Sequence, residues 1–335
     1  MGFLLKFKLF LMRYLNEKDL LKIGIDWNET IDTIENAVRC LDEGDFSQPM
    51  KPYLRYRNLK NRIIAMPAFL GGGFNMAGIK WIASFPENIN KGVPRAHSVV
   101  ILNNADTGNP VSIINTALLS IIRTASVSGL AMRYFDRSRK LGRFNLGIVG
   151  WGPIGKRHLE LFLNLYGERI DTVFLYDVRP VINKQEIDPQ HRDKVIVVNS
   201  WEEAYHDADV FITCTVSSDR YIDQRPKTGS LQLNVSLRDY KIDVFDSLKG
   251  GIIVDDWDEV CRENTDIELM HKEKGLQNSD VKTLCDVVCR HSIDDLNEKQ
   301  VVMFSPMGMG VFDIAIATYY FRQADDHNFG VALEE

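Results

Sequence analysis

Gly150, Gly152 and Gly155 form a G-x-G-x-x-G run directly after the apolar stretch LGIV and at the head of the helical stretch GPIGKRHLELFLNLYG. In such a turn the first glycine permits the sharp bend, the second lets backbone approach a pyrophosphate, and the third packs helix on strand. A helix N-terminus at that point offers free N–H groups to phosphates. Asp177 closes the next apolar run, TVFLYD, where a carboxylate hydrogen-bonds an adenosine ribose and repels a 2′-phosphate, so NAD is expected over NADP. Arg179, two residues on, is a counterweight, since a guanidinium there can receive that phosphate. The alternative is a glycine turn in a sheet that binds nothing.

Three basic residues stand in apolar or tightly built segments: Lys80 in GIKWI, Arg123 in ALLSIIRTASVSGLA and Arg55 in KPYLRYRN. A charge in such surroundings is costly unless paired. Taken singly, each is accounted for by a buried ion pair or a snorkelling side chain. Taken together they suggest a carboxylate-binding cluster, for which bidentate arginine is suited. His97, in the same segment as Arg95, is either a candidate base or a structural histidine.

The elements that must position these residues follow from periodicity. DWNETIDTIENAVRCL places Ile31, Ile34, Val38 and Leu41 on one helical face. Residues 50–105 read as β, with RIIAMPAFL, GIKWIASF and HSVVILNN separated by turn signals, and RYLNEKDLLKIG before them is strand-like. Asn109–Pro110 reads as a helix start, with the helix running to about Arg137. From Phe144 onward short apolar strands alternate with helices, the pattern of a parallel doubly wound sheet. The terminal helix MGVFDIAIATYYFRQADDH is expected to pack back on the N-terminal part. The fold class is therefore α/β: a Rossmann-type doubly wound parallel sheet over 138–305, and a discontinuous α+β substrate and dimerisation domain over 12–137 with 306–335. Residues 1–11 are expected to be an N-terminal extension.

Two domains suit 335 residues. A net charge of −6 with mixed signs argues against a nucleic-acid partner. Cys285 and Cys289 are four apart and no further pair or His cluster completes a zinc site, so the five cysteines are expected to be reduced thiols in a cytoplasmic protein, with no metal. The opening MGFLLKFKLFLM is too short to span a bilayer, and no membrane partner is expected.

PYLR, RIIAMP, GIKWIAS, DTGNP, RTASVS, IVGWGPIG, ITCTVSSDRYI, IVDDWDEVCRE and SPMGMGVFDI together resemble the ornithine cyclodeaminase/mu-crystallin family from about Met12 onward. Within it the chain is most similar to the dehydrogenases of 2,3-diaminopropionate biosynthesis that act on N-(2-amino-2-carboxyethyl)-L-glutamate. The resemblance implies Arg55, Lys80 and Arg123 as substrate-carboxylate ligands, and Pro153, Ile154, Asp177, Thr215, Asn234, Val235 and Ser236 as cofactor contacts. Lys241 and Met307 match further cofactor and substrate positions loosely. Asp239 falls near the family's catalytic aspartate after a one-residue adjustment, its alternative being a plain loop carboxylate; with Lys80 it is the catalytic candidate.

Two departures bear on substrate. Ala65 stands just before Met66–Pro67, where ornithine cyclodeaminases carry a glutamate that serves the amine of ornithine, so cyclisation of ornithine is disfavoured. Arg95 stands where they have a small hydroxyl residue, which suits a substrate with several carboxylates but is equally a surface arginine. The resemblance further implies a homodimer and a small amino-acid-derived substrate. Another amino-acid or imine oxidoreductase, and a mu-crystallin-like binding protein without turnover, keep the same fold.

Overall fold

The computed structural model describes residues 12–179 and 182–334, so the extension expected at 1–11 lies outside the described residues. Of these, 12–26, 43–120 and 310–334 form one compact unit, and the remainder, 27–42 and 121–309, a second. The expected boundaries differ from these in two helices and in residues 306–309, which group with the second unit. Trp27–Asp42 turns its buried Ile31, Ile34, Ala37 and Val38 toward the helices Leu284–Arg290 and Pro153–Tyr166 and groups with them. Leu118–Arg139 joins it from Ile121 on, its Arg133 donating to Asp32 and Glu35 at 2.5 and 3.1 Å.

The first unit is built on an eight-stranded mixed sheet. Its centre is three nine-residue antiparallel strands, Arg62–Leu70, Met76–Ser84 and Ala96–Asn104, in continuous register. The helix Gly310–Asp326 packs on all three, as its apolar sequence anticipates. Because strand side chains alternate, Met66, Lys80 and Val100, directly opposite one another, share one face, with Ala68, Leu70, Met76, Ser98 and Leu102. Ala65, Trp81 and Val99 share the other.

Two expected elements are corrected here. Pro110–Asn115 is a strand, and the helix begins only at Leu118. The run VSIIN alternates with Ser112 and Ile114 buried, and it pairs with Ala96–Asn104 and with Met12–Asn16. Proline at the first strand position forfeits no ladder bond, so the Asn-Pro signal serves a strand equally well. RYLNEKDLLKIG is strand only to Asn16; the Asn16 side chain accepts from the Lys18 N–H and Asp19 accepts from the Asn16 N–H, capping the helix Glu17–Ile23.

The second unit carries eight strands, every pair parallel: Val195–Val197, Ile170–Tyr176, Phe144–Val149, Val210–Thr213, Leu231–Asn234, Val302–Ser305, Ile252–Val254 and Lys282–Thr283 in spatial order. The first five reproduce the 3-2-1-4-5 order of a dinucleotide-binding sheet, and order reverses beside Phe144–Val149, the strand that feeds the glycine run. The inner strands Val210–Thr213, Leu231–Asn234, Val302–Ser305 and Ile252–Val254 are buried on both faces and read as largely apolar runs.

His158 fixes the helix after the glycine run. It is fully buried, one ring nitrogen 2.9 Å from the Ile154 carbonyl and the other 2.9 Å from Ser128 Oγ. Burial pushes its pKa down to about 4. Since the folded value lies below the unfolded one of about 6.5, the unfolded chain takes up the proton first as pH falls. The stabilisation is complete above about pH 6.5 and is lost toward pH 4, on the order of 3 kcal/mol. Urea titrations from pH 7 to pH 4 should show this loss in the native chain and a flatter profile in His158→Gln; parallel profiles would assign the acid lability elsewhere.

Candidate active site

In the second unit, Gly150 has φ +105° and a Cβ there would stand 2.5 Å from the Cys214 carbonyl oxygen, while a Cβ at Gly155 would stand 1.9 Å from the Gly150 oxygen. Helix and strand therefore meet at backbone distance only because both residues lack side chains. Gly152 is the opposite case, with nothing within 4 Å of its Cβ direction. It caps the helix Pro153–Tyr166 without a side-chain hydrogen bond, and Pro153 follows at the first helical position. Open space in front of first-turn amides, Ile154 and Gly155 among them, fits the pyrophosphate of a dinucleotide.

Asp177 follows the adjacent strand. Its Oδ2 accepts the Trp151 N–H at 2.6 Å, and Oδ1 accepts the N–H and Nε of Arg179 at 2.8 and 3.0 Å. Burial raises its carboxyl, but these bonds outweigh burial and hold it below the ordinary carboxylate value. It is ionised, it braces the glycine loop, and Arg179 folds over it while remaining mostly exposed.

Beyond the strand Val210–Thr213, Thr215 donates its N–H to Ser236 Oγ at 2.8 Å and its hydroxyl to Asp239 Oδ1 at 2.6 Å. Asp239 is fully buried, and its Oδ2 has no hydrogen-bond partner. Burial pushes its carboxyl upward, against the hydroxyls of Ser236, Thr215 and Thr213. It thus lies behind Thr215, which is half-buried, as are Val235 and Ser236. The Asn234 side chain, expected as a cofactor contact, is fully buried and fully engaged: Nδ2 donates to Asp266 and Ser305, and Oδ1 accepts from Thr213 and the Leu237 N–H. Lys241 forms a surface pair with Asp223 at 2.6 Å.

Asp266 is a site residue that the sequence does not single out among its many acids. Fully buried, it accepts from Arg220 Nε at 2.7 Å, from Asn234, and from the N–H groups of Asp239 and Tyr240 at 3.1 and 3.2 Å. Burial drives its carboxyl up to about 6. It sets the 234–240 turn and so the position of Asp239. Asp255 does the same for the turn after Val302–Ser305, accepting the N–H groups of Met307 and Gly308 at 2.9 and 2.7 Å. Arg123, mostly buried, lies over Gly308, where a Cβ would stand 2.9 Å from Nη1. Arg123 and Met307 are thereby brought together.

In the first unit Lys80 is not the open cation the sequence suggests. It is 2% exposed, and Nζ donates to both carboxylate oxygens of Asp313 at 3.0 Å and to Ser120 Oγ at 2.9 Å. Its charge is met internally, as the buried-pair alternative holds. Arg55 is exposed, so the cost of burial says nothing about it; its guanidinium lies 5.1 Å from the Tyr53 ring centroid. Arg95 is half-buried, its carbonyl accepting the Phe85 N–H. The Ala65 reading needs correction: Ala65 opposes Trp81 and projects from the face away from Lys80. Ile64 and Met66 are the residues of that strand beside Lys80 on its face, and neither is a carboxylate; the acid at Lys80 is Asp313, from the helix Gly310–Asp326. His97 opposes Ala83 on that same far face and is exposed, which separates it from Lys80.

Among the described residues no group of three or more His, Cys, Asp or Glu is placed to hold a metal, and no helix is long and apolar enough to cross a membrane.

The model for the ornithine cyclodeaminase/mu-crystallin family matches residues 19–328. An N-((2S)-2-amino-2-carboxyethyl)-L-glutamate dehydrogenase of Staphylococcus aureus is 32% identical over 335 residues, covering 96% of this chain and 98% of its own. Among solved structures, the Delta(1)-pyrroline-2-carboxylate reductase of Thermococcus litoralis, in complex with NADH and L-proline, is similar with a TM-score of 0.85 at 22% identity, over 96% of this chain and 100% of that one. An archaeal alanine dehydrogenase dimer with bound NAD gives 0.83 at 24% identity, over 97% and 99%. These two likenesses establish the fold.

Removing one member of a buried ion pair strands the other charge and costs roughly 3–5 kcal/mol, whereas replacing both with apolar residues is often neutral. Asp313→Ala and Lys80→Ala should each lose stability on that scale in urea, and Lys80→Met with Asp313→Leu should regain most of it. A cost below about 1 kcal/mol for Asp313→Ala would show that the pair is not held dry.

Proposed function

Because this chain belongs to the ornithine cyclodeaminase/mu-crystallin family, we propose that it is an NAD-dependent oxidoreductase acting on the CH–NH bond of an amino-acid derivative. Its substrate in this reading is N-(2-amino-2-carboxyethyl)-L-glutamate, cleaved to L-2,3-diaminopropionate and 2-oxoglutarate with formation of NADH. The observation that carries it is the 32% identity to the Staphylococcus aureus enzyme of that name across nearly the whole of both chains. The Lys80 face supports it, since Ile64, Met66, Ile82 and Val100 beside Lys80 carry no acceptor for a distal ammonium such as that of ornithine, and the carboxylate there, Asp313, is already engaged by Lys80.

Bound NAD would supply the hydride acceptor, so that the glutamate α-carbon would lose its hydrogen as hydride while the amine lone pair forms a C=N bond. The amine N–H proton leaves to a base, and water then hydrolyses the imine to the two products. The residues of the second unit that suit the cofactor are Gly150, Gly152, Pro153, Ile154 and Gly155 at the pyrophosphate, Asp177 at the adenosine ribose, and Thr215, Val235 and Ser236 toward the nicotinamide. Asn234 serves by holding that turn. Asp239 is the base in this reading, its affinity for a proton raised by burial, and it would take the proton through the Thr215 hydroxyl that donates to it. Arg123 and Met307 supply substrate contacts, with Arg55 and Arg95, and Lys80 is held at a fixed position by Asp313. A reducing cytoplasm suits the five cysteines, none of them in a disulfide among the described residues.

The far face of the first-unit sheet carries Pro67, Ile79, Ile101 and Ile113 in one row, with Ala65, Trp81 and Val99 beside them, half-buried or, for Trp81, 44% exposed. A contiguous apolar sheet face of this kind marks an association surface. In the proposed homodimer a second copy covers it, a reading supported by the archaeal alanine dehydrogenase dimer.

Two measurements check these statements. With NAD, NADH absorbance should rise on N-(2-amino-2-carboxyethyl)-L-glutamate and not on ornithine or alanine, and NADP should support a far slower rate; silence on all three with NAD bound would favour a binding protein. Light scattering should give a particle of two 38.3 kDa chains, and Trp81→Glu a single chain. A native particle of one chain would contradict the dimer.

A further inference from the structure

Arg62 opens the strand Arg62–Leu70 and stands outside every role assigned so far. It opposes Ser84, and Tyr53 opposes Ile64, so Arg62, Tyr53 and Ile64 project from the same face as Met66 and Lys80. Continuing the register one step past the Leu54–Ile63 pair brings Arg55 opposite Arg62. Both guanidiniums lie against one ring, that of Tyr53, at 5.1 Å for Arg55 and 5.6 Å for Arg62.

This arrangement is not what stability alone selects. Like charges directly opposite on a sheet repel. Arg62 Nε is buried without a hydrogen-bond partner, and among the described residues no carboxylate is paired with Arg62. A buried donor left unmet is costly, and a planar guanidinium fixed on an aromatic face is preorganised to receive a carboxylate through two N–H groups. Four strand positions, about 13 Å of rise, separate Arg62 from Met66 and its neighbour Lys80.

We propose that Arg62, with Arg55 beside it, is the clamp for a carboxylate remote from the reacting α-carbon, and that it selects dicarboxylic over monocarboxylic substrates. This rests on the amino-acid oxidoreductase reading above and names the residue that sets its substrate class. The remote carboxylate of a glutamate-derived substrate, retained in 2-oxoglutarate, binds Arg62; alanine and pyruvate have no group to place there.

The test is binding of 2-oxoglutarate and of pyruvate to the NADH-saturated full chain, by calorimetry, in the native protein, Arg62→Gln and Arg62→Lys. The native chain should prefer 2-oxoglutarate. Arg62→Gln should weaken 2-oxoglutarate roughly 10- to 100-fold, the effect of one charged hydrogen-bonding group, and leave pyruvate within about twofold. Arg62→Lys should fall between, and it decides the matter if Arg62→Gln no longer binds NADH. Equal weakening of both acids, no weakening of either, or a native chain without preference would overturn the clamp. Turnover does not enter this readout, so a native chain that binds 2-oxoglutarate selectively yet fails to oxidise the proposed substrate would retire the reaction and keep the clamp.

Discussion

The alternation of side chains along three long antiparallel strands is the constraint on which the first unit depends. Once Met66, Lys80 and Val100 are in register, every second residue is committed to one face and its neighbours to the other. The face that receives the Gly310–Asp326 helix holds a lysine, and that helix must then bring a carboxylate to it, which Asp313 does. The same alternation gathers Tyr53, Arg62 and the following Arg55 toward Lys80, and sends Trp81, Ile79 and His97 away. A core face that carries Lys80 and Arg62 and a half-exposed apolar face are thus two consequences of one register.

The second unit depends on backbone closeness. Its glycine run works because strand and helix touch where side chains are absent, and the carboxylates around it act mainly by holding loops. Asp177 ties the Trp151 amide, Asp266 ties the amides of Asp239 and Tyr240, and Asp255 ties those of Met307 and Gly308. Three acids each fix a loop after a strand, and the residues proposed for catalysis and binding ride on those loops. Preorganisation of this kind is what lets a protein supply placement while a cofactor supplies the redox chemistry.

Much of this was legible in the sequence where the physics is local. The glycine run, the parallel strands and the apolar terminal helix each carry their own signal. The strand Pro110–Asn115 was not legible, because Asn-Pro opens a helix or a strand alike and only the neighbouring strands decide. Lys80 was recognisable as a charge needing an answer, but its partner lies 233 residues away in sequence. Resemblance pointed to Ala65, whereas the register shows that Ile64 and Met66 face the lysine. Arg62 sits among so many basic and polar neighbours in RYRNLKNR that nothing marks it until a ring and a register single it out. Asp239 read as a catalytic aspartate or a plain loop acid; its burial behind Thr215 depends on Asp266, which the sequence hides among other acids.

The central claim is that hydride leaves the glutamate α-carbon of a conjugated amino acid. Substrate deuterated at that carbon tests it most directly. With NAD and the native chain, the deuterium should appear at C4 of the reduced nicotinamide while 2-oxoglutarate and 2,3-diaminopropionate form in equal amounts. Deuterium retained in a product, or lost to water with the cofactor unlabelled, would contradict the account.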